Sequence, residues 1–341
     1  MIWSLLAISC LHTTSPVTKP ADSPPADTFR VAFGSCAHQN KDQPILETAA
    51  SLSPDLFVWL GDNIYGDTDD MAVLQQKYDK LGAKPEFQRL WERTAVRAVW
   101  DDHDYGRNDA GKEYPHRLAS EQIFLDFWQV PADADRRQHE GIYGAEVFTD
   151  GAHTVQLILL DTRSFRDPIA PKTRGYKNSY RPHDEPGAAF LGEAQWAWLA
   201  GVLQQPATIR IIATSNQFGH SYNGWESWTN FPFEQQRMVR LLREAGASAT
   251  VFISGDVHWG EISRYTPDSG PPLYDVTSSG ITQTWPSTEP NENRVGPVIR
   301  ENNFGLIEID WRARQMSLQL RTVENAVVSE HRVDFDALQI R

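Results

Sequence analysis

Asp62 and Tyr65 are the first residues whose types and spacing could hold a metal ion. They occur in the segment GDNIY, residues 61–65, directly after an apolar run. A carboxylate can bridge two cations, and a phenolate oxygen is a good donor to ferric iron. Asp62 could equally cap the next turn while Tyr65 packs nearby, so the pair is a candidate for metal binding.

Two later clusters combine acids with a histidine. The segment DDHD, residues 101–104, surrounds His103 with three acids, an arrangement that is costly unless a cation or a proton offsets the repulsion. A solvated loop that caps a helix would also explain it. In GDVH, residues 255–258, Asp256 and His258 alternate and would point to the same side of an extended chain. These oxygen and nitrogen donors suit two different metals side by side, although a capping aspartate and a core histidine are an equal alternative.

Cys36 is the one cysteine inside the expected folded domain, since Cys10 lies in the N-terminal leader. By itself it would be explained as a small buried apolar residue. The joint pattern is more informative, because the four clusters follow four predicted strands that the fold should bring together. Ser35 stands in Gly-Ser-Cys and not in a Gly-x-Ser-x-Gly turn, so nucleophilic serine chemistry is not supported.

The elements that must position these residues alternate along the chain. Short apolar runs predict strands buried on both faces, and segments of helical spacing between them predict helices. This alternation predicts a layered α/β fold in which ligands bind beyond the carboxyl ends of the strands. Shorter strands without intervening helices follow residue 260 and predict a second, more antiparallel sheet packed on the first. The predicted strands are 31–33, 56–60, 96–100, 157–160, 209–213 and 251–253, then 273–277, 304–310, 316–322 and 327–333; the predicted helices are 44–52, 71–81, 116–128, 193–204 and 233–245.

Composition limits the partners. The 341 residues are 40% hydrophobic, which is enough for a packed core, and carry a formal net charge of −13. A surface this acidic excludes nucleic acid and anionic lipid as general partners. It does not exclude a small phosphate ester, because bound cations can reverse the sign of a site. The sequence makes no prediction of oligomeric state.

Residues 1–10 are mostly apolar and end in LAISC, which resembles a lipoprotein signal whose Cys10 is acylated after cleavage. An ordinary cleaved signal and a ragged N-terminus remain alternatives. Residues 11–27 are rich in proline and predict an extended tether, and residues 28–341 form the folded domain. We therefore expect an exported protein, periplasmic or an outer-membrane lipoprotein if bacterial, that meets a membrane only through the lipid anchor.

The polar clusters together resemble a known family. The ordered segments FGSC (33–36), WLGDNIY (59–65), WDDHDYG (100–106), LDTR (160–163) and SGDVH (254–258) are similar to the motifs of PhoD-like alkaline phosphatases. That family belongs to the calcineurin-like metallophosphoesterases and is similar in its site to purple acid phosphatases. The resemblance covers residues 29–310. It implies a four-layer α/β/β/α sandwich of mixed sheets flanked by helices, and hydrolysis of phosphate mono- or diesters by a metal-activated water.

The resemblance also implies a ligand set for iron (Fe3+) with calcium (Ca2+), with zinc, manganese or magnesium as alternatives. Asp62 would bridge the two ions, and His103 matches the catalytic histidine of the superfamily, acting as an acid or by stabilising phosphoryl charge. Cys36, Tyr65 and His258 would complete the iron ligands, while Asp102 and Asp256 would face the second metal.

Some positions depart from the wider superfamily. The superfamily has Asp-x-His beside the first strand, where this chain has Ser35-Cys36-Ala37-His38, and His38 is left out of the ligand set. A further metal-binding histidine is not obvious, and Asn216, Gln217 or a water could take its place. Arg163 could either hold a phosphate oxygen as a catalytic residue or pair with Asp161.

Two other functions remain open. The aromatic segment that contains Tyr222, Trp225, Trp228 and Phe231 could line a pocket for a lipid or aryl group, which would favour a phospholipase or phosphotriesterase, or it could simply pack in the core. Alternatively, the protein could be a non-catalytic surface lipoprotein stabilised by metals. The additional histidine, His103, argues against a purely structural metal site, which needs no open position.

Overall fold

The computed structural model describes residues 27–340, so the expectations for the leader and for residues 11–26 of the tether lie outside the described part of the chain. The strands in this part are β1 (Thr28–Gly34), β2 (Leu56–Leu60), β3 (Ala95–Val99), β4 (Gly144–Asp150), β5 (His153–Leu159), β6 (Ile209–Ala213), β7 (Thr250–Ser254), β8 (Gly260–Tyr265), β9 (Leu273–Ser278), β10 (Asn303–Asp310), β11 (Gln315–Thr322) and β12 (Val327–Asp334). The α-helices are α1 (Pro44–Ser51), α2 (Met71–Gly82), α3 (Pro85–Arg93), α4 (Asp102–Tyr105), α5 (Arg117–Phe127), α6 (Glu193–Val202) and α7 (Pro232–Glu244).

The strands form two mixed sheets of six strands each. The first has the order β12-β11-β10-β1-β2-β3, and the second has the order β4-β5-β6-β7-β9-β8. Strands β1, β2 and β3 run parallel, as do β5, β6, β7 and β9, while the remaining pairings are antiparallel. The two sheets and their helices confirm the predicted α/β/β/α sandwich.

Alternating side chains of the second sheet supply two separate cores. In β6, Ile211 belongs to the large core shared with the first sheet, whereas Ile212 belongs to the core beneath α6 and α7. Successive residues of a strand point to opposite faces, so a continuous apolar run can serve both layers. Every residue of β2, β6 and β7 is buried, which confirms the prediction of strands covered on both faces.

The prediction that the later strands form a second sheet of their own is wrong. Strand β10 pairs antiparallel with β1 and brings β11 and β12 into the first sheet, while β9 pairs parallel with β7 in the second. Strand order depends on contacts between distant segments, which the periodicity of each segment does not encode. Strands β4 and β8 and the short helices α3 and α4 were not predicted from the sequence.

None of the helices in residues 27–340 is both long enough and apolar enough to cross a membrane.

Candidate metal centre

Two glycines allow the ends of neighbouring strands to approach closely. A Cβ atom on Gly61, which follows β2, would lie 2.5 Å from Cβ of Asp101, which follows β3. A Cβ on Gly255, after β7, would lie 2.3 Å from Oγ of Ser35, after β1. The second contact joins the two sheets. The polar clusters that the sequence distributes over both sheets therefore meet at one edge of the sandwich.

Four of the predicted ligands have left-handed backbone conformations. The φ angles are 61° for Cys36, 49° for Asp62, 73° for Asp256 and 63° for His258. Residues other than glycine rarely adopt positive φ, and each instance costs on the order of 1–3 kcal/mol, so such strain is concentrated at functional sites. This conformation, which eight other non-glycine residues of the described chain also have, turns the chain sharply at the strand ends that carry these predicted ligands.

Asp62 is common to two of the three groups of donor atoms in residues 27–340 that could hold a metal ion. Its donor atoms are within 4.8 Å of those of Cys36 and His258, and also of those of Asp102 and His103. The Cys36 sulfur is 3.4 Å from Oδ2 of Asp62, while Oδ1 of this buried carboxylate has no hydrogen-bond partner in residues 27–340. One residue common to both groups is the arrangement that a bridging carboxylate requires.

Tyr65 and His258 lie on the same side as Cys36. The Tyr65 hydroxyl is 3.1 Å from Nε2 of His258. Burial lowers the pKa of His258 to about 4, and His103 acts in the same direction, so the ring is held neutral. Neutral imidazole is the form that binds a metal.

Asp102 lies on the other side, whereas Asp256 belongs to none of the donor groups in residues 27–340, although the charge of Asp102 helps to raise its pKa. Burial acts to raise the pKa of Asp102, but the charges of Arg163 and His103 outweigh it and lower the pKa to about 2, so this carboxylate is ionised. Oδ2 of Asp256 is 3.4 Å from Nδ2 of Asn216. Asn216 is therefore placed beside a predicted ligand.

The donor set fits cations. Burial raises the pKa of Cys36 to about 12 and raises those of Asp62, Tyr65 and Asp256 well above their ordinary values. A buried thiol, phenol and carboxyl group at such close range can all ionise only if positive charge is present between them. Thiolate, phenolate and imidazole suit a transition metal, whereas a group of carboxylates suits a harder divalent ion.

His103 lies at the accessible side of the centre, with 18% of its side chain exposed. Its Nδ1 is 2.7 Å from Oδ1 of Asp67, and its backbone N donates to Asp102 at 2.9 Å. Burial alone would lower the pKa of His103, but Asp62 and Asp102, together with Asp67, raise it to about 11. With Nδ1 engaged by Asp67, Nε2 is the ring nitrogen that remains for another partner.

Arg163 does not have either of the two roles considered from the sequence. Its side chain is fully buried, with Nε donating to Asp101 at 2.5 Å and Nη1 donating to Glu226 at 2.9 Å. Asp161 instead accepts from the backbone N of Arg163 at 2.9 Å. The assignment of Arg163 as a phosphate-binding catalytic residue is therefore corrected: its guanidinium neutralises the acids beneath the centre.

The acidic residues of the segment 101–104 divide between helix capping and the donor group, the two interpretations drawn from the sequence. Asp101 and Asp104 form a capping box at the start of α4, which is the helix-capping alternative, but they are buried and not solvated. Asp104 also accepts from the backbone N of Asp62 at 3.2 Å and from Nδ2 of Asn63 at 2.6 Å. Only Asp102 of the three acids lies with the donor group shared by Asp62 and His103.

Other candidates lie outside the donor groups. His38 stacks on Tyr65 with ring centroids 5.0 Å apart and is not part of a donor group within the described chain. Gln217 donates to Glu261 at 2.8 Å and to Thr277 at 3.0 Å, which commits it elsewhere.

The aromatic segment divides between core and surface. Trp228 and Phe231 are buried in the core beneath α6 and α7, and Trp228 donates to Thr214 at 3.0 Å. Trp225 is 40% exposed, and the Tyr222 hydroxyl donates to the carbonyl of Tyr180. Packing therefore accounts for Trp228 and Phe231.

Three residues near the centre were missed from the sequence. Asp67 orients His103, Glu226 pairs with Arg163, and Ser279 contacts Cys36 at 3.0 Å. Asp67 follows the GDNIY segment by two positions and could have been suspected as an additional acid. Glu226 and Ser279 reach the centre only through the tertiary fold, and their local sequence gives no signal.

Sequence comparison connects the chain to one family. The sequence profile of the PhoD-like phosphatases matches residues 31–320. Alkaline phosphatase D of Bacillus subtilis (strain 168) is 24% identical over 321 residues, a match that covers 79% of this chain and 52% of that protein. The chain thus spans about half the length of this curated relative.

Structural comparison shows the fold in three solved proteins. A structure of PhoD has a TM-score of 0.70 at 17% identity, covering 93% of this chain and 72% of that one. GAP50, described as the anchor in the inner membrane complex of Plasmodium, has a TM-score of 0.59 at 12% identity, covering 92% and 89%. A dimetal phosphatase from Danio rerio has a TM-score of 0.54 at 15% identity, covering 90% and 99%. Because an anchor protein shares the architecture with phosphatases, the fold alone does not decide the function.

Proposed function

Because the chain belongs to the PhoD-like phosphatase family, we propose that it hydrolyses phosphate mono- or diesters at the metal centre around Asp62. The observation that carries this proposal is the position of Asp62 between two donor groups, with one carboxylate oxygen lacking a hydrogen-bond partner in residues 27–340. A bridging carboxylate of this kind would hold two cations close enough to act on one phosphoryl group.

The proposed ligands divide by chemistry. Thiolate, phenolate and neutral imidazole favour iron (Fe3+) on one side, and carboxylates favour calcium (Ca2+) on the other, with zinc, manganese or magnesium as alternatives. When bound, such ions supply Lewis acidity toward the phosphoryl oxygens and make a water more acidic. Asp62 would bridge them; Cys36, Tyr65 and His258 would bind the first, and Asp102 and Asp256 the second, beside Asn216.

His103 would supply the proton for the leaving group. Asp67 accepts from Nδ1 at 2.7 Å, which fixes the ring and leaves the Nε2 proton for the ester oxygen. Asp67, which lies outside the proposed ligand set, favours the cationic form of the imidazole, which a general acid requires. The same geometry would place positive charge near the phosphoryl oxygens in the transition state.

The two alternatives receive less support. A phospholipase or phosphotriesterase was favoured by the aromatic segment, but burial of Trp228 and Phe231 removes much of that segment from any substrate. A non-catalytic role would require no proton donor. His103 is partly accessible and its ring is held by Asp67, an arrangement that a purely structural metal site does not need.

Export stays a prediction, because Cys10 lies outside the described residues. The apolar leader ending in LAISC and the proline-rich segment after it support export with acylation of Cys10. Labelled palmitate should enter the wild type and not Cys10→Ser. Failure of both proteins to take up the label would refute the lipoprotein assignment without affecting the proposed catalytic activity.

The proposed activity is tested by assaying 4-nitrophenyl phosphate and bis(4-nitrophenyl) phosphate with purified protein whose metal content is measured. Hydrolysis of at least one ester should be lost when the metals are removed by a chelator and restored when they are returned. The ratio of the two rates assigns the monoester or diester preference. Equal rates before and after complete metal removal would contradict the proposal.

A further inference from the structure

Ser279 lies between two predicted ligands that come from different sheets. Its Oγ is 3.0 Å from the sulfur of Cys36, which follows β1, and accepts a hydrogen bond of 2.7 Å from the backbone N of His258, which follows β7. Ser279 itself follows β9 and is fully buried. A single hydroxyl therefore contacts both sides of the seam at which the sheets meet.

The surrounding backbone fixes this hydroxyl in place. Ser279 forms a parallel bridge with Ser35, and Ile281 donates to the carbonyl of Ser35 at 3.0 Å. Thr282 donates from its backbone N to the carbonyl of Cys36 at 3.1 Å. The segment 279–282 is thus bonded along the loop that carries Cys36, which holds the backbone of Ser279 beside this loop, while the bond from the backbone N of His258 holds its hydroxyl.

The direction of the hydrogen bonds follows from their chemistry. The backbone N–H of His258 can only donate, so Ser279 Oγ accepts from it and its own proton remains for another acceptor. A thiolate sulfur at 3.0 Å is that acceptor once Cys36 binds a metal. Ser35 differs, because its hydroxyl donates to the carbonyl of Ser278 at 3.2 Å and its Oγ is 3.5 Å from the sulfur.

We propose that Ser279 is a positioning residue that donates a hydrogen bond to the Cys36 thiolate and anchors His258 through its backbone. Groups that bond to metal ligands set ligand orientation and tune the metal, and their loss typically costs roughly 10–100-fold in metal affinity. This inference rests on the proposed metal centre and goes beyond it by assigning a residue that tunes the sulfur donor.

The test uses Co2+ as the probe, added to metal-free protein, and reads the sulfur-to-metal charge-transfer band. Ser279→Ala should weaken Co2+ binding roughly 10–100-fold and move the band to longer wavelength, because sulfur electrons without a hydrogen bond are held less tightly. The matched control is Ser35→Ala, which removes a hydroxyl just as buried and adjacent to the same cysteine, and which should change the band little.

Several outcomes would overturn the inference. An unchanged affinity and band in Ser279→Ala would do so, as would an equal shift in Ser35→Ala. Weaker binding with an unshifted band would show that Ser279 acts only through His258. If Ser279→Ala does not fold, the metal–sulfur stretching frequency can be measured on wild-type protein loaded with metal in H2O and in D2O. We expect the two frequencies to differ. Equal frequencies would refute the hydrogen bond. Absence of a sulfur band in the wild type would instead refute the proposed metal centre.

Discussion

The hydroxyl of Tyr65, near the end of β2 in the first sheet, lies 3.1 Å from Nε2 of His258, which follows β7 in the second. Two donors that are distant in sequence and belong to different sheets thus converge. Because Tyr65 is a proposed iron ligand, removing its hydroxyl oxygen tests the iron assignment. Phenolate bound to ferric iron absorbs visible light, so Tyr65→Phe should lose much of the colour of the iron-loaded protein. Fully active, colourless wild-type protein that contains only zinc would contradict the assignment.

His103→Ala should keep both metals but turn over more slowly. Loss of a general acid typically reduces the rate by about 10²–10⁴-fold. The reduction should be smaller for a nitrophenyl ester than for an alkyl ester, because a better leaving group needs less protonation. An equal loss for both esters would indicate that His103 stabilises phosphoryl charge, and loss of either metal would show that it is a ligand. Asp67→Asn, which removes the carboxylate that orients the ring and helps to raise its pKa but keeps the imidazole, should have a smaller effect in the same assay.

Arg163→Leu should destabilise the fold. Removing the guanidinium leaves Asp101 buried without its ion-pair partner and leaves Glu226 paired with Arg166 alone, a change that typically costs about 3–5 kcal/mol in the free energy of unfolding. Denaturant unfolding of metal-free protein measures it. Arg237→Gln, which breaks a largely exposed pair with Glu193, is the control and should change stability little. A stable Arg163→Leu protein with only a raised KM would restore the phosphate-binding role.

Gly255→Ala should disturb the junction of the two sheets. The added Cβ would lie 2.3 Å from Oγ of Ser35 and 2.7 Å from its Cβ, so the loops after β1 and β7 must separate. We expect weaker metal binding together with a lower melting temperature. Gly201→Ala in α6, where an added Cβ meets nothing within 4 Å, should instead stabilise the protein by about 0.5–1 kcal/mol. Normal metal affinity in Gly255→Ala would show that the close approach is not needed.

The sequence predicted most of what depends on local pattern. Strands β2 and β6 have the predicted bounds, because an apolar run bounded by polar residues is a strong local signal. The resemblance to a family supplied the sandwich and the ligand set, and the structure brings Cys36, Asp62 and His258 together.

What the sequence did not predict depends on distant contacts. The division of strands between sheets follows from the pairing of β10 with β1, which are separated by most of the chain. Arg163 was misassigned because its partner Glu226 lies 63 residues away, within a segment whose aromatic residues drew the functional interpretation. Ser279 has no distinguishing local pattern and acquires its contacts only when the two sheets meet.

Asp62→Asn tests the central claim most directly, since Asp62 is the residue shared by both donor groups. Metal content and turnover of phosphate esters should be measured on the same preparations of wild type, Asp62→Asn and Asp79→Asn, an exposed control on α2. We predict that the wild type and the control bind two metal ions per chain and hydrolyse the ester, whereas Asp62→Asn loses metal and activity together. Undiminished metal content and turnover in Asp62→Asn would contradict the account.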